Sequence, residues 1–482
     1  FVDSNNVVNG QKYYYAVVSY DHGDAELLVA PVECSKTITV NPETGEVLLD
    51  VNTVAVVPRT MTAGYVASSF NDSLPTQIQG NGTGLINLDI IDHTAVEDQN
   101  NYQIIFSEDG GLNYSVLDEK EVSDTLVARL GNYHKLSYQN VDSLTFELFG
   151  SNGTLLNEGS DYDLLDADGQ ILIHADGGIS ESEQIIAKFI YYPIKNSKKL
   201  ALEEGNPIFD GMTLTVQNEI LELDDEKIGW NQDSPNNWEP TVKPFNNLGT
   251  NKYPADYELR WFNDVVSNNY RPGFEYVQAN FEIWETTRGY DERQLPFIVI
   301  ETAPFDSVWN PGERIIILQD SSMSSFSWEL TFDTTDASIA PAGGDIFSIF
   351  TTRTFVDDIF SFSTSSSKED NIVEKNNMDE IYVVPNPYVV SSNIEPLDLQ
   401  NPLDRGPRRV YFANLPSNCT IDIYTMSGEI VQSLKHNSLI EDGIKYWDLT
   451  TSDNFPVSFG MYIFHVKSEN GNESTGRFAI IK

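Results

Sequence analysis

Short apolar runs, β-branched or aromatic, recur along the chain and break at clusters of Asn, Asp, Gly and Ser. The stretches "KYYYAVVSY" (12–20), "GLINLDIID" (84–92), "SLTFELFG" (143–150), "QILIHADG" (170–177), "QIIAKFIYYPI" (184–194) and "RIIIL" (314–318) have the length and composition of strands. The polar clusters between them have turn chemistry. A second series follows in "YELRWF" (257–262), "ANFEIWET" (279–286), "LPFIVIET" (295–302), "WELTFDTT" (328–335) and "GDIFSIFTT" (344–352). No long segment sustains a 3.6-residue apolar period. The pattern predicts an all-β protein built as tandem β-sandwiches.

The same punctuation predicts the organisation. Residues 36–375 form a large β region of two sandwiches, with a small β domain inserted at 132–197. The Trp- and Asn-rich stretch 229–254 reads as a long surface loop, and 363–380 as a polar linker. Residues 1–35 carry a turn at Asn9-Gly10, an alternating Tyr/Val strand and a second turn at Asp21-His22-Gly23-Asp24. They resemble the last two strands of a fibronectin type III domain. Two such strands without the rest of a sandwich have unpaired edges, which predicts strand exchange between copies and a filament. Phe1 is not an initiator, so the chain reads as part of a longer precursor.

"YVVPNPYVVSS" (382–392) interrupts a strong β-forming segment with two prolines, which a ladder tolerates only at a strand start, an edge or a bulge. One module therefore ends before it and another begins. Residues 381–482 then read as a sandwich of about seven strands. Its marks are Pro385, Asn386 and Pro387, then Asn414, Leu415 and Pro416, Gly428, Trp447, Asp448 and Leu449, Gly460 and Tyr462, Gly476 and the terminal Lys482. This series resembles the type A C-terminal sorting domain of type IX secretion substrates, which has an immunoglobulin-like fold. Asn454 stands where that family has a glycine. The resemblance implies export through the type IX secretion machinery, an extracellular or outer-surface location, and a tail that is usually removed after export.

Composition narrows the function. The 482 residues hold 73 Asp and Glu against 29 Lys and Arg, a formal charge of −44. Such a chain repels nucleic acid and anionic membranes and attracts cations. No run of 18 apolar residues exists to span a membrane. Two cysteines, Cys34 and Cys419, are too few for a disulfide framework. Asp161, Asp163, Asp166 and Asp168 before Gly169 are candidate calcium ligands, although their spacing is not that of an EF-hand and equally fits a hairpin turn. The six histidines are scattered singly, and no nucleophile elbow or zinc spacing is present. "GNGTG" (80–84) lacks the Lys-Ser/Thr of a phosphate loop and reads as a turn. Trp261, Trp284 and Trp328 alternate with polar residues and read as core, whereas Trp230 and Trp238 read as a contact surface for sugars. These features predict a non-enzymatic structural or adhesive protein, with self-assembly into a filament or surface layer as a further expectation. The alternative is an accessory carbohydrate-binding segment of a larger secreted enzyme.

Overall fold

The computed structural model describes every residue except 1–6, 8, 10, 22, 24–29, 41–46, 202–206, 233, 246–252, 271–275, 304, 322–324, 335–337, 390–407 and 482. The protein is all-β and built from β-sandwiches. It divides into two compact units, one of residues 1–69 with 366–482 and the other of residues 70–365. The second unit is therefore inserted, in sequence, within the first.

Residues 70–365 hold two sandwiches. In the first, one sheet runs in the order Glu147–Phe149, Gln184–Ser197, Leu112–Val127, Asn101–Glu108 and Ile359–Ser365, with Thr76–Gln79 also paired to the last. The antiparallel pair Leu85–Ile90 and Met212–Gln217 shares its core. Alternation explains the burial. Tyr102, Ile104 and Phe106 point inward with Met212, Leu214 and Val216, while Gln103 and Ile105 between the first three are only half-buried. Leu112–Val127 and Gln184–Ser197 then run on, past a register shift between Asp118 and Val122, to a second core around Leu148, Tyr162, Ile171, Ile173 and Phe189. The region expected as an insert at 132–197 thus has its own core but grows from strands it shares with its neighbour.

The second sandwich pairs a five-stranded sheet with a four-stranded one. The first contains Gly229–Trp230, Ile346–Ile349, Tyr257–Trp261, Phe281–Glu285 and Arg293–Leu295. The other contains Glu239–Pro244, Phe326–Asp333, Arg314–Leu318 and Phe297–Ile300. The stretch 229–254 is therefore not one long loop. Glu239–Pro244 lies at the end of its sheet, opposite Phe326–Asp333, where the missing N–H groups of Pro240 and Pro244 are tolerated. Trp261, Trp309 and Trp328 are buried in the core, each worth about 1.5–3 kcal/mol or more of apolar burial. Trp284 is half-buried, with Arg260 stacked 5.0 Å from its ring centre.

In the other unit, Tyr13–Ala16 pairs antiparallel with Thr53–Val56. One edge of that N-terminal strand is thus taken within the chain. The turn expected at Asn9-Gly10 lies partly outside the described residues, as does the one at 21–24, where the Asp21 carboxylate accepts the Gly23 N–H at 2.8 Å. The C-terminal sandwich stacks Tyr382–Val384, Val410–Ala413 and Lys445–Trp447 against a five-stranded sheet. That sheet runs Tyr388–Val389, Glu473–Ile481, Gly460–Ser468, Asn418–Thr425 and Ile430–Asn437.

The stretch 363–380 corrects an expectation. It is no linker: Ser363–Ser365 complete a strand, Lys368–Glu369 pairs with Tyr65–Val66, and Asn371–Asn377 is a helix. Asp370 caps that helix by accepting the N–H groups of Ile372 and Val373, and Glu374 and Met378 are buried. Seven residues are too few for a helical period to show in sequence. Residues 60–63 also join the C-terminal sandwich. Thr62 donates to Ile440 at 3.0 Å, Ala63 to Leu415 at 3.1 Å, and Gly443 to Thr60 at 2.7 Å. A Cβ on Gly443 would lie 2.3 Å from the Met61 carbonyl oxygen, so that approach requires glycine.

Candidate functional site

The Pro-Asn-Pro element is where the chain crosses between the two sheets of the C-terminal sandwich. Tyr382–Val384 pairs antiparallel with Val410–Ala413 in one sheet, and Tyr388–Val389 pairs parallel with Ile480 and Ile481 in the other. Neither Pro385 nor Pro387 has an N–H to leave unpaired at the crossing. Asn386 supplies side-chain bonds instead: its Nδ2 donates to the Arg477 carbonyl at 3.3 Å, and its Oδ1 accepts the Ala479 N–H at 3.1 Å. The interruption that looks damaging in the sequence is thus stitched onto the last strand by one amide.

The other marked residues occupy demanding positions in the same sandwich. Asn414 has a left-handed backbone, φ 60°, and its Nδ2 donates to the Asn377 carbonyl at 3.2 Å. Leu415 is fully buried, and Pro416 is buried beside it. Gly428 turns the hairpin between Asn418–Thr425 and Ile430–Asn437 with φ 88°. Trp447 lies in the core and donates from Nε1 to the Thr450 carbonyl at 2.9 Å. The Asp448 carboxylate accepts the Thr450 hydroxyl at 2.6 Å, and Leu449 is buried. Gly460 opens the strand that carries Tyr462, whose hydroxyl donates to the Ser458 carbonyl at 2.6 Å. A Cβ on Gly476 would meet the Phe464 ring at 2.2 Å, so a bare backbone is needed there for the aromatic core to close. Asn454 has φ 61°, the conformation that asparagine tolerates best after glycine. Lys482 lies outside the described residues. Cys419 is buried and its thiol is pushed up to about 12 by that burial, while Cys34 is exposed; both are free.

The four calcium candidates do not converge. Asp161 accepts the N–H groups of Asn157 at 2.8 Å and Gly178 at 2.7 Å, and these bonds hold its carboxyl below the usual range. Asp163 pairs with His174 at 2.9 Å and draws that imidazole's pKa upward. Asp166 pairs with Lys195 at 3.5 Å, and Asp168 is exposed in the turn closed by Gly169 at φ 60°. Each carboxylate is tied to, or faces, something different, as the hairpin reading requires. Among the described residues no three His, Cys, Asp or Glu side chains gather in a metal-holding group.

Trp230 and Trp238 also differ from expectation. Both are half-buried and packed on the core of the second sandwich, with ring centres 6.0 and 5.9 Å from that of Trp261. Trp230 donates from Nε1 to the Trp238 carbonyl at 3.3 Å. They close a core rather than offer a platform.

A pair of acids, Asp118 buried and Asp210 half-buried, escaped the sequence reading. Asp118, at the register shift of its strand, and Asp210 sit beneath Tyr102 and Tyr191. The Tyr102 hydroxyl donates to Asp210 at 3.0 Å, and the Lys120 N–H donates to Asp118 at 2.9 Å. Burial raises the pKa of both carboxyls; the Asp118 charge adds repulsion at Asp210, and Glu97 adds it at both. Asn100 reaches toward Asp118, but its buried Nδ2 makes no well-formed hydrogen bond. In sequence Asp118 stands in "VLDEKEV", where it looks like one more outward acid.

No family model and no curated protein matches the chain. Among solved structures it is similar in part to PorZ, described as an essential bacterial surface component of the type IX secretion system of Porphyromonas gingivalis. That similarity has 15% identity and a TM-score of 0.18, over 42% of this chain and 21% of that one. It is also similar to dimeric latent PorU from Porphyromonas gingivalis, at 12% identity and a TM-score of 0.14, over 90% of this chain and 35% of that one. The chain thus spans well under half the length of either, and similarity at this level carries no argument about function. Among the described residues no helix is long and apolar enough to cross a membrane.

Proposed function

We propose that this chain is a substrate of a type IX secretion system, with its C-terminal sandwich as the sorting module. It works at the cell surface or outside the cell, by binding or assembling. The observation that supports this most is positional. The marked residues from Pro385 to Gly476 gather in one sandwich, at the sheet crossing, the left-handed turns and the aromatic core. A terminal sandwich that only stabilised its own unit would not need to reproduce so much of the family's series of motifs in order.

The test is export of the full chain in a host that carries the type IX machinery, compared with a chain ending at Asn472. Loss of Glu473–Ile481 removes a strand bonded to both Tyr388–Val389 and Gly460–Ser468. The full chain is expected on the surface or in the medium, and the truncated chain in the periplasm. Limited proteolysis would check that residues 70–365 of the retained chain stay folded. Equal export of the two chains would refute the sorting role. Self-assembly through the N-terminal strands has less support, because Thr53–Val56 already occupies one edge of Tyr13–Ala16.

A further inference from the structure

Within residues 70–365, two adjoining grooves share Tyr290. One, of about 430 Å³, is lined by Gln77, Ile78, Gln79, Gly80, Arg288 and Gly289. The other, of about 380 Å³, includes Asn81, Tyr253, Glu285, Arg293 and Gln319 in its lining. We propose that this double groove binds an acidic saccharide, a short chain containing hexuronate units, with Tyr290 as its stacking platform and Arg288 as its carboxylate contact.

The walls of the groove are held from below by one buried ion pair. Arg353 grips Asp256 with two bonds, of 2.7 and 3.0 Å, and its Nε donates to the Asn81 carbonyl at 2.8 Å. The Asp256 N–H donates to Thr287 Oγ1 at 3.0 Å. Asn81 on one wall and Thr287 on the other are therefore bonded to the same fixed pair, which pre-organises the space between them. Arg293 is tied down too, to Glu285 Oε2 at 2.7 Å and the Gln319 carbonyl at 3.0 Å. Gly80 and Gly289 have φ of 90° and 87°, and a Cβ on Gly289 would sit 3.9 Å from the Gly80 carbonyl. Gly289 thus brings a bare backbone up to that carbonyl beside the tyrosine, whereas Gly80 is packed against Asp358, where a Cβ would lie 2.2 Å from a carboxylate oxygen.

Against this braced frame, two side chains stand out by being uncommitted. Tyr290 is 68% exposed, with Ile78, itself 54% exposed, lining the same groove. Arg288 makes no ion pair or hydrogen bond among the described residues, in a chain with 73 acids available to pair with it. A flat, exposed ring with a polar tip suits the apolar face of a pyranose. A guanidinium offers a carboxylate two parallel bonds that an ammonium cannot. The remaining lining combines the amides of Gln77, Gln79, Asn81 and Gln319 with two carboxylates, Asp320 and the Arg293-paired Glu285, a polar set that suits hydroxyl groups better than the apolar side chains of a peptide. The net charge of −44 opposes long-range attraction of any anion, so recognition rests on contact at Arg288 rather than on steering.

The test uses the full chain and oligomers of galacturonate, glucuronate and mannuronate, with maltotetraose as the neutral comparator and a glutamate-rich peptide as the non-sugar anion. Calorimetric titration is expected to show binding of at least one uronate oligomer. Arg288→Gln should weaken it about tenfold or more, with Arg288→Lys only partly restoring it. Tyr290→Ala should weaken it by a similar factor. Both side chains lie outside the cores, so unfolding midpoints should be unchanged. No binding to any of the uronates, or binding that survives both substitutions, overturns the proposal. So does equally tight binding of the glutamate peptide, which would make the groove a general anion patch. The proposal is independent of the sorting role, and export of both variants is expected to be normal.

Discussion

Asp256 and Asp118 are both buried in the sandwiches of residues 70–365, and their surroundings treat them in opposite ways. Asp256 receives two bonds from the Arg353 guanidinium and a third from the Thr351 N–H at 3.0 Å. Asp118 faces tyrosines, an asparagine and a second carboxylate, and no Lys or Arg side chain bonds to it among the described residues. The first is a charge with a permanent partner. The second is an acid pushed toward its neutral form. Burial alone therefore does not say whether an acid stabilises its fold; the partner does.

The largest expected effect breaks the first arrangement. Arg353→Met leaves Asp256 buried and unpaired, and should cost about 3–5 kcal/mol of stability by urea unfolding. The double variant Arg353→Met with Asp256→Leu should recover most of that loss, because no uncompensated charge remains. A single variant costing less than about 1 kcal/mol would show that water reaches Asp256 and that the pair is not a brace.

Glu374 of the other unit offers an intermediate case. It is 4% exposed and accepts the amides of Asn470 at 2.7 Å and Asn472 at 2.8 Å, with neutral donors in place of a cation. Glu374→Ala strands those two amides and should cost about 1–3 kcal/mol, read from the unfolding of residues 1–69 with 366–482. Glu374→Gln keeps acceptor capacity at the site and should cost less. Equal losses for both variants would mean that the charge, not the hydrogen bonding, is what matters.

These three acids also mark what could be read from the chain. The β character of the protein was legible, because Tyr102, Ile104 and Phe106 or Ile421 and Ile423 alternate as half-buried strands must. Pro385-Asn386-Pro387 was legible as a break in a strand, but not as a crossing between the two sheets of one sandwich. Partners far apart in sequence were not legible. Nothing local says that Thr62 will bond Ile440, or that Arg353 will find Asp256. Acids in a run such as "LDEKEV" look alike until a register shift turns one of them inward. Trp230 and Trp238 misled for the complementary reason: their turn-rich context looked exposed, yet the rings close a core.

Asp118→Asn should act in the opposite direction from Arg353→Met. It removes a buried charge that has no cation while keeping an oxygen to accept the Lys120 N–H. A gain on the order of 1 kcal/mol at pH 7 is expected. A loss of that size would mean that the carboxylate itself is needed, either by an unseen cation or by the Asp210 and Tyr191 network.

The smallest effect, and the most diagnostic, is the pH dependence. The folded pKa values of Asp118 and Asp210 are raised by burial above the ordinary aspartate range. Their folded forms therefore bind protons more tightly than the unfolded chain does. Their contribution is fully present below the unfolded pKa and is lost as pH rises through the folded one. Glu329 behaves in reverse. Hydrogen bonding to Arg314, at 2.5 Å, and to Lys243 holds its carboxyl below the usual range despite burial. Its contribution is present above the unfolded pKa and is lost as pH falls through the folded one. The melting temperature of residues 70–365 should consequently pass through a maximum in mildly acid solution. Asp118→Asn should flatten the side facing neutral pH, and Glu329→Gln the side facing acid. If Asp118→Asn left the neutral side as steep as before, the acid pair would already be neutralised by something else in the folded protein, and the contrast with Asp256 would fail.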